Sequence, residues 1–262
     1  MGNVWVGHHL ALHTQVVVKF MHESLVKDAV ARERFAKEAV AASQVKSPHV
    51  VQTFDHGVTE AGLPFIVMEL LEGEDLAAFL DRRGRLTLVE VASIVVQVGR
   101  ALARAHERGV VHRDIKPENI FLCDQGGDEP FVKLLDFGIA RMGSALTSST
   151  LGGATMGTPF YMSPEQFLSS RNIDYRTDLW SLGVVAFEAA VGVRPFDAES
   201  LSALAIAVHS GPTPIPSQYD PALAVIDGWF QRACARDPRA RFSSAKDMAD
   251  AFRRIVRVDP AF

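Results

Sequence analysis

The chain has 262 residues, 48% apolar and 22% charged, enough to bury a sizeable core and too apolar for a disordered chain. Its formal net charge of −4 excludes the cationic excess of a nucleic-acid binder. Its two cysteines, Cys123 and Cys234, lack the spacing of a zinc site or disulfide framework, which fits a reducing, cytoplasmic compartment.

No stretch reaches the ~20 apolar residues that span a bilayer, and no basic region leads an apolar run as in a signal peptide. The expectation is a soluble segment without membrane contact, whose parent protein can still be anchored through a segment outside it. From the N-terminus, β-rich runs are expected at Val4 to Val6, Gln15 to Phe20, Val50 to Phe54 and Pro64 to Glu69, with one helix from Asp28 to Ser43. The charged stretch Asp81 to Arg85 reads as a solvated turn. A helix from Thr87 to Arg108 is signalled by the Thr87/Glu90 capping box, by Gly109 beyond its last turn and by apolar residues at helical spacing, from Val91 to Ala105. Residues 140–158 form a long loop rich in Ser, Thr and Gly, of the kind that is functional or mobile. The helix from Thr177 to Val191 is apolar nearly all round, which predicts burial, and it stops at Gly192. A last helix starts at Ser243 or Ser244. The expected fold is α+β and bilobal: a small β-rich lobe with one helix over residues 1–71, then a larger, mainly helical lobe over 72–262.

The densest chemistry lies in His112-Arg113-Asp114-Ile115-Lys116-Pro117-Glu118-Asn119, followed 22 positions after Asp114 by Asp136-Phe137-Gly138. Phosphoryl transfer needs a carboxylate to take the nucleophile's proton, hard oxygen ligands for Mg²⁺ and a cation near the moving phosphate. Asp114 suits the first need, Asn119 and Asp136 the second, and Lys116 the third. Cys123 and His106 read as structural, and His8, His9, His22, His49, His56 and His209 as surface or packing residues.

In this order the motifs resemble those of eukaryotic-type protein kinases, in particular bacterial Ser/Thr kinases, across essentially the whole chain. The resemblance implies a kinase of MgATP (or MnATP) acting on protein Ser and Thr hydroxyls in signalling, with self-phosphorylation among its reactions. It implies that Lys19, in Val16-Val17-Val18-Lys19, holds the α- and β-phosphates and is fixed by Glu38. Met68 would guard the back of the adenine pocket, backbone groups of Glu69 and Leu71 would bond the adenine edge, and Phe121 would floor it. Asp178 would brace the catalytic loop, and Glu165 of Ser163-Pro164-Glu165 would pair with Arg241. Gly157-Thr158-Pro159 would receive the substrate. Arg113 beside Asp114 implies control by loop phosphorylation, with Thr150 and Thr155 as acceptors.

The sequence departs from the family in its glycine-rich loop. Only Gly2-Asn3-Val4 matches the loop's last glycine and valine, so a truncated loop, a missing first strand and weaker phosphate binding are expected. Val17 stands where the family has alanine. The alternatives to an active kinase are a nucleotide-binding pseudokinase or scaffold, or a fragment inactive for want of the loop. A small-molecule phosphotransferase of similar fold is a third, opposed by the substrate segment Gly157 to Glu165. Retention of Lys19, Asp114 and Asp136 favours the enzyme.

Overall fold

The computed structural model describes residues 3–11, 13–124, 126, 130–137, 159–168 and 173–258, without the side chains of Arg34, Glu38, Arg257 and Val258. Strands β1 (Val4–His9), β2 (Thr14–Phe20), β3 (Thr53–Val58) and β4 (Pro64–Glu69) make one antiparallel sheet in the order β1-β2-β4-β3. The β-branched run of β2 fits this central position, and its register sets Lys19 opposite Ile66 and Val17 opposite Met68. Helix α1 (Ala29–Gln44) starts where the Asp28 carboxylate accepts the amides of Val30 and Ala31. Its Phe35 and Ala39, one turn apart, pack on Met21 and Ile66, with Met68 at the border of the cluster.

Two expectations are corrected here. The strand read at Val50 to Phe54 begins later, at Thr53. Val50 and Val51 are apolar because they are buried against the larger lobe: Val50 bridges Leu134, and the Val51 amide donates to the Leu134 carbonyl at 2.9 Å. The stretch from Asp81 is the end of helix α2 (Leu76–Arg83), closed by Gly84 at φ 78°. Its charges are held by neighbours: Arg82 pairs with Glu74, and Arg83 with Glu90 at 3.1 Å.

The larger lobe is built on α3 (Leu88–Glu107), whose capping box at Thr87 and Glu90 forms as expected. A three-stranded sheet, β5 (Gly73–Asp75), β6 (Ile120–Cys123) and β7 (Phe131–Leu134), lies beside it. Gly73 is required there: at φ +136° its missing Cβ would sit 2.0 Å from the Leu122 carbonyl oxygen. Short α4 (Pro164–Phe167) precedes α5 (Arg176–Val191), which is buried all round, with Leu179, Trp180 and Leu182 at 0% exposure. Gly192 closes α5 in the left-handed conformation. Helices α6 (Leu201–Ser210), α7 (Asp227–Ala233) and α8 (Ala245–Val258) complete the lobe, and α8 packs along α3. Among the described residues no helix is long and apolar enough to cross a membrane.

Candidate active site

The segment from His112 to Asn119 joins α3 to β6 and ends in a single 3₁₀ turn, Pro117–Asn119, with proline where no amide donor is needed. The Asn119 amide nitrogen donates to the Asp114 carbonyl at 2.8 Å and to its carboxylate Oδ2 at 3.1 Å. Lys116 Nζ lies 3.2 Å from the same Oδ2, with 2% of its side chain exposed. An ammonium is buried this deeply only beside a compensating charge. One carboxylate, one amide and one ammonium are thus gathered within a single turn.

Asp178, at the start of α5 and fully buried, holds this loop from behind. Its Oδ1 accepts the Arg113 amide at 2.7 Å, and its Oδ2 accepts the His112 amide at 2.9 Å. His106 Nε2 bonds the same Oδ2 at 2.8 Å, the structural role expected of it. Arg113 sits at φ 65°, a left-handed conformation costing a non-glycine residue roughly 1–3 kcal/mol. The Asp178 bonds offset that cost, as does the Gln166 amide, which donates to the Arg113 carbonyl at 2.9 Å.

Asp136 is set beside the loop by its neighbours in sequence. The Leu135 amide donates to the Asn119 carbonyl at 2.9 Å, and the His112 ring bonds the Leu135 carbonyl at 2.9 Å while packing on Phe137 at 4.7 Å. Asp136 also takes a positive φ, 44°. From the opposite lobe Lys19 reaches it: Nζ lies 2.7 Å from Asp136 Oδ1, with the lysine 14% exposed and the aspartate 37%. Residues 117 positions apart in sequence therefore meet across the interlobe crevice.

The other expected residues distribute as follows. Met68 and Glu69 end β4, Leu71 follows, and Phe121 lies on β6. Val4 pairs with Lys19 in the β1–β2 ladder and is exposed. Glu38 belongs to α1, but its side chain lies outside the description, as do Gly2, Thr150, Thr155, Thr158, the loop 140–158 and Gly157. Glu165 and Arg241 stand apart from the crevice, under α5. There they form a two-pronged ion pair at 2.7 and 2.8 Å, and the Arg241 side chain is fully buried. Breaking such a pair costs roughly 3–5 kcal/mol, because the remaining charge stays buried.

Several contributors escaped the sequence reading. Gln166 holds the loop through one bond to the Arg113 carbonyl, and the His112 ring, noted in the sequence only as part of its motif, bonds the Leu135 carbonyl and accepts the Asp114 amide; no spacing rule exists for such bonds to backbone. Tyr161 donates to Glu188 at 2.5 Å beneath the segment that follows Thr158. Burial raises the pKa of both groups, so the tyrosine keeps its proton. Lys133 pairs with Glu69 at 2.5 Å. Cys123 is buried, and burial raises its pKa, in keeping with an inert thiol.

Comparison with known proteins shows the family of the chain. The family model described as the protein kinase domain matches residues 1–251. The chain is 40% identical to the serine/threonine-protein kinase Pkn1 of Myxococcus xanthus over 98% of its own length and 36% of that protein's. It is 38% identical to the serine/threonine-protein kinase PknH of Mycobacterium bovis over 95% of its length and 41% of that protein's. The chain therefore spans about two fifths of the length of the curated relatives it matches. Among solved structures, the PknI kinase domain of Mycobacterium tuberculosis superimposes with a TM-score of 0.76 at 29% identity, covering 97% of this chain and 91% of that one. On the family match and these relatives, the chain belongs to the protein kinase family.

Proposed function

We propose that this chain is a serine/threonine protein kinase domain, which transfers the γ-phosphoryl group of MgATP to Ser or Thr hydroxyls of protein substrates. The observation that carries the reading is the convergence of Lys19 from one lobe on Asp136 of the other, beside the Asp114, Lys116 and Asn119 cluster.

The donor set fits the nucleotide and its metal. The Asn119 amide nitrogen is committed to Asp114, so its carbonyl oxygen is the end left to a metal. With the Asp136 carboxylate it makes a pair of hard oxygen donors suited to Mg²⁺ or Mn²⁺. Among the described residues no group of three or more His, Cys, Asp or Glu side chains could hold a metal. Phosphate oxygens and water would complete the metal's shell. When bound, the metal neutralises charge on the phosphates.

The chain's own groups divide the remaining work. Lys19 holds the phosphates, steadied by Glu38; the backbone of Gly2 covers them, and Val4 lies over the base. Backbone groups of Glu69 and Leu71 read the adenine edge between Met68 and Phe121. Asp114 orients the acceptor hydroxyl and takes its proton, and Lys116 offsets charge on the group in transit. Thr158 helps seat the substrate, and the Glu165–Arg241 pair supports that segment from below. The Arg113 Nε is buried without a hydrogen-bond partner among the described residues. A phosphate on Thr150 or Thr155, placed there by self-phosphorylation, would supply that partner and order the loop. The lobes divide at residue 71, after β4. The use of ATP and two buried, unbridged cysteines support action in the cytoplasm.

The test is incubation of the purified chain with γ-labelled ATP and a generic basic protein. Label should appear on phosphoserine or phosphothreonine, only with Mg²⁺ or Mn²⁺ present. No transfer, even after the N-terminal glycine loop is completed, would defeat the reading.

A further inference from the structure

Behind the interlobe connection a second charged contact joins the lobes. Lys133 Nζ, on β7, lies 2.5 Å from Glu69 Oε1, at the end of β4. The same oxygen accepts the Gln52 amide at 2.7 Å, while the Glu69 amide donates to the Gln52 carbonyl at 3.0 Å. Glu69 is therefore gripped through both its side chain and its backbone. The pair is only 15% and 21% exposed, so its attraction is less screened than that of a surface ion pair.

The surroundings are equally fixed. The segment carrying Gln52 is stitched to β7: the Leu134 amide donates to the His49 carbonyl at 2.9 Å, and the Val51 amide to the Leu134 carbonyl at 2.9 Å. The His49 ring bonds the Val132 carbonyl at 3.0 Å and stacks on Phe131 at 4.8 Å. Lys133 stands opposite Phe121 in the β6–β7 ladder, and three residues further on the same strand leads to Asp136. One rigid strand thus carries a cation that holds Glu69, a neighbour of Phe121, and the path to Asp136.

We infer that Lys133 is a positioning residue for nucleotide binding: by clamping the Glu69 carboxylate it fixes the Glu69 backbone against which the adenine edge is read. The inference rests on the kinase reading above, in which that backbone faces the base. Lys133 acts through Glu69, the carboxylate it pairs with. Its loss leaves a partly buried carboxylate held by one amide alone, and it frees the connection between lobes to shift. The consequence falls on recognition of the base rather than on the chemical step.

The experiment titrates adenosine and MgATP into the parent chain and into Lys133→Met, Lys133→Arg, Glu69→Gln and the double variant Glu69→Gln/Lys133→Met. Lys133→Met and Glu69→Gln should each weaken adenosine and MgATP by the same factor, about threefold to tenfold. Lys133→Arg, which keeps the cation, should recover most of the loss. The double variant should lose no more than Lys133→Met, because both changes break one contact. KM for ATP should rise by the same factor while kcat holds. Glu69→Gln keeps an oxygen for the Gln52 amide, so it carries the test should Lys133→Met fail to fold. Unchanged adenosine affinity in folded variants, with only a lower melting temperature, would overturn the inference and leave the pair a structural contact. A parent chain that binds neither ligand, with the N-terminal glycine loop completed as well as without it, would overturn the kinase reading itself, and this inference with it.

Discussion

Burial sets the character of individual side chains here, and Glu188 gives that a measurable form. It lies in the larger lobe with Tyr161 donating to it, and burial raises its pKa above the ordinary carboxylate value of 4.5. A carboxyl with a raised folded pKa holds its proton more tightly in the folded chain. Its favourable contribution is fully present below pH 4.5 and is lost as pH rises through the raised value. Glu188→Gln keeps an oxygen for the Tyr161 hydroxyl and removes the titration. Its melting temperature, measured against the parent, should therefore climb as pH rises above 4.5. A difference independent of pH would show that Glu188 titrates as an exposed group does. Nothing in the sequence signals this pair, because Tyr161 and Glu188 lie far apart and neither belongs to a recurrent spacing. Asp114, Asn119 and Asp136 could be singled out as candidates because phosphoryl transfer restricts the residue types that can serve, and the structure gathers them beside Lys116 and Lys19.

Local signals read well where they are self-contained. Helix α3 carries its own start and stop: the Thr87 hydroxyl accepts the Glu90 amide at 3.3 Å, and the Glu90 carboxylate accepts the Thr87 amide at 2.8 Å. Thr87→Ala removes half of that exchange and should cost about 1 kcal/mol of stability in denaturant unfolding, without altering nucleotide affinity. A loss near zero would mean that packing against α8 alone fixes the helix start. Strand β4 was likewise bounded correctly, from Pro64 to Glu69. Two other elements read differently in the structure. Val50 and Val51 look like strand residues, yet they are apolar because the larger lobe covers them, a contact distant in sequence that overrides the local pattern. Asp81 to Arg83 are solvated as expected, but they form the last turn of α2 rather than a turn of their own.

At the scale of the whole molecule, two ion pairs among the described residues join the lobes. Lys19–Asp136 closes the crevice, and Glu69–Lys133 spans its back. Sequence motifs pointed to Lys19 and Asp136 as parts of one phosphate site. The pairing of Lys133 with Glu69 depends on how β7 approaches β4, which no motif encodes. Apart from the crevice, α5 frames the larger lobe: its Asp178 holds the His112 and Arg113 amides, and Arg241, paired with Glu165, donates to its Arg176 carbonyl. The central claim, that this frame presents Asp114 to an acceptor hydroxyl beside a nucleotide held elsewhere, separates rate from affinity. It is tested most directly by measuring both in Asp114→Asn: phosphoryl transfer to a protein acceptor and MgATP affinity by titration. Transfer should fall roughly 10²- to 10⁴-fold with MgATP affinity nearly unchanged. Undiminished transfer, or a collapse of nucleotide binding in a folded variant, would contradict the account.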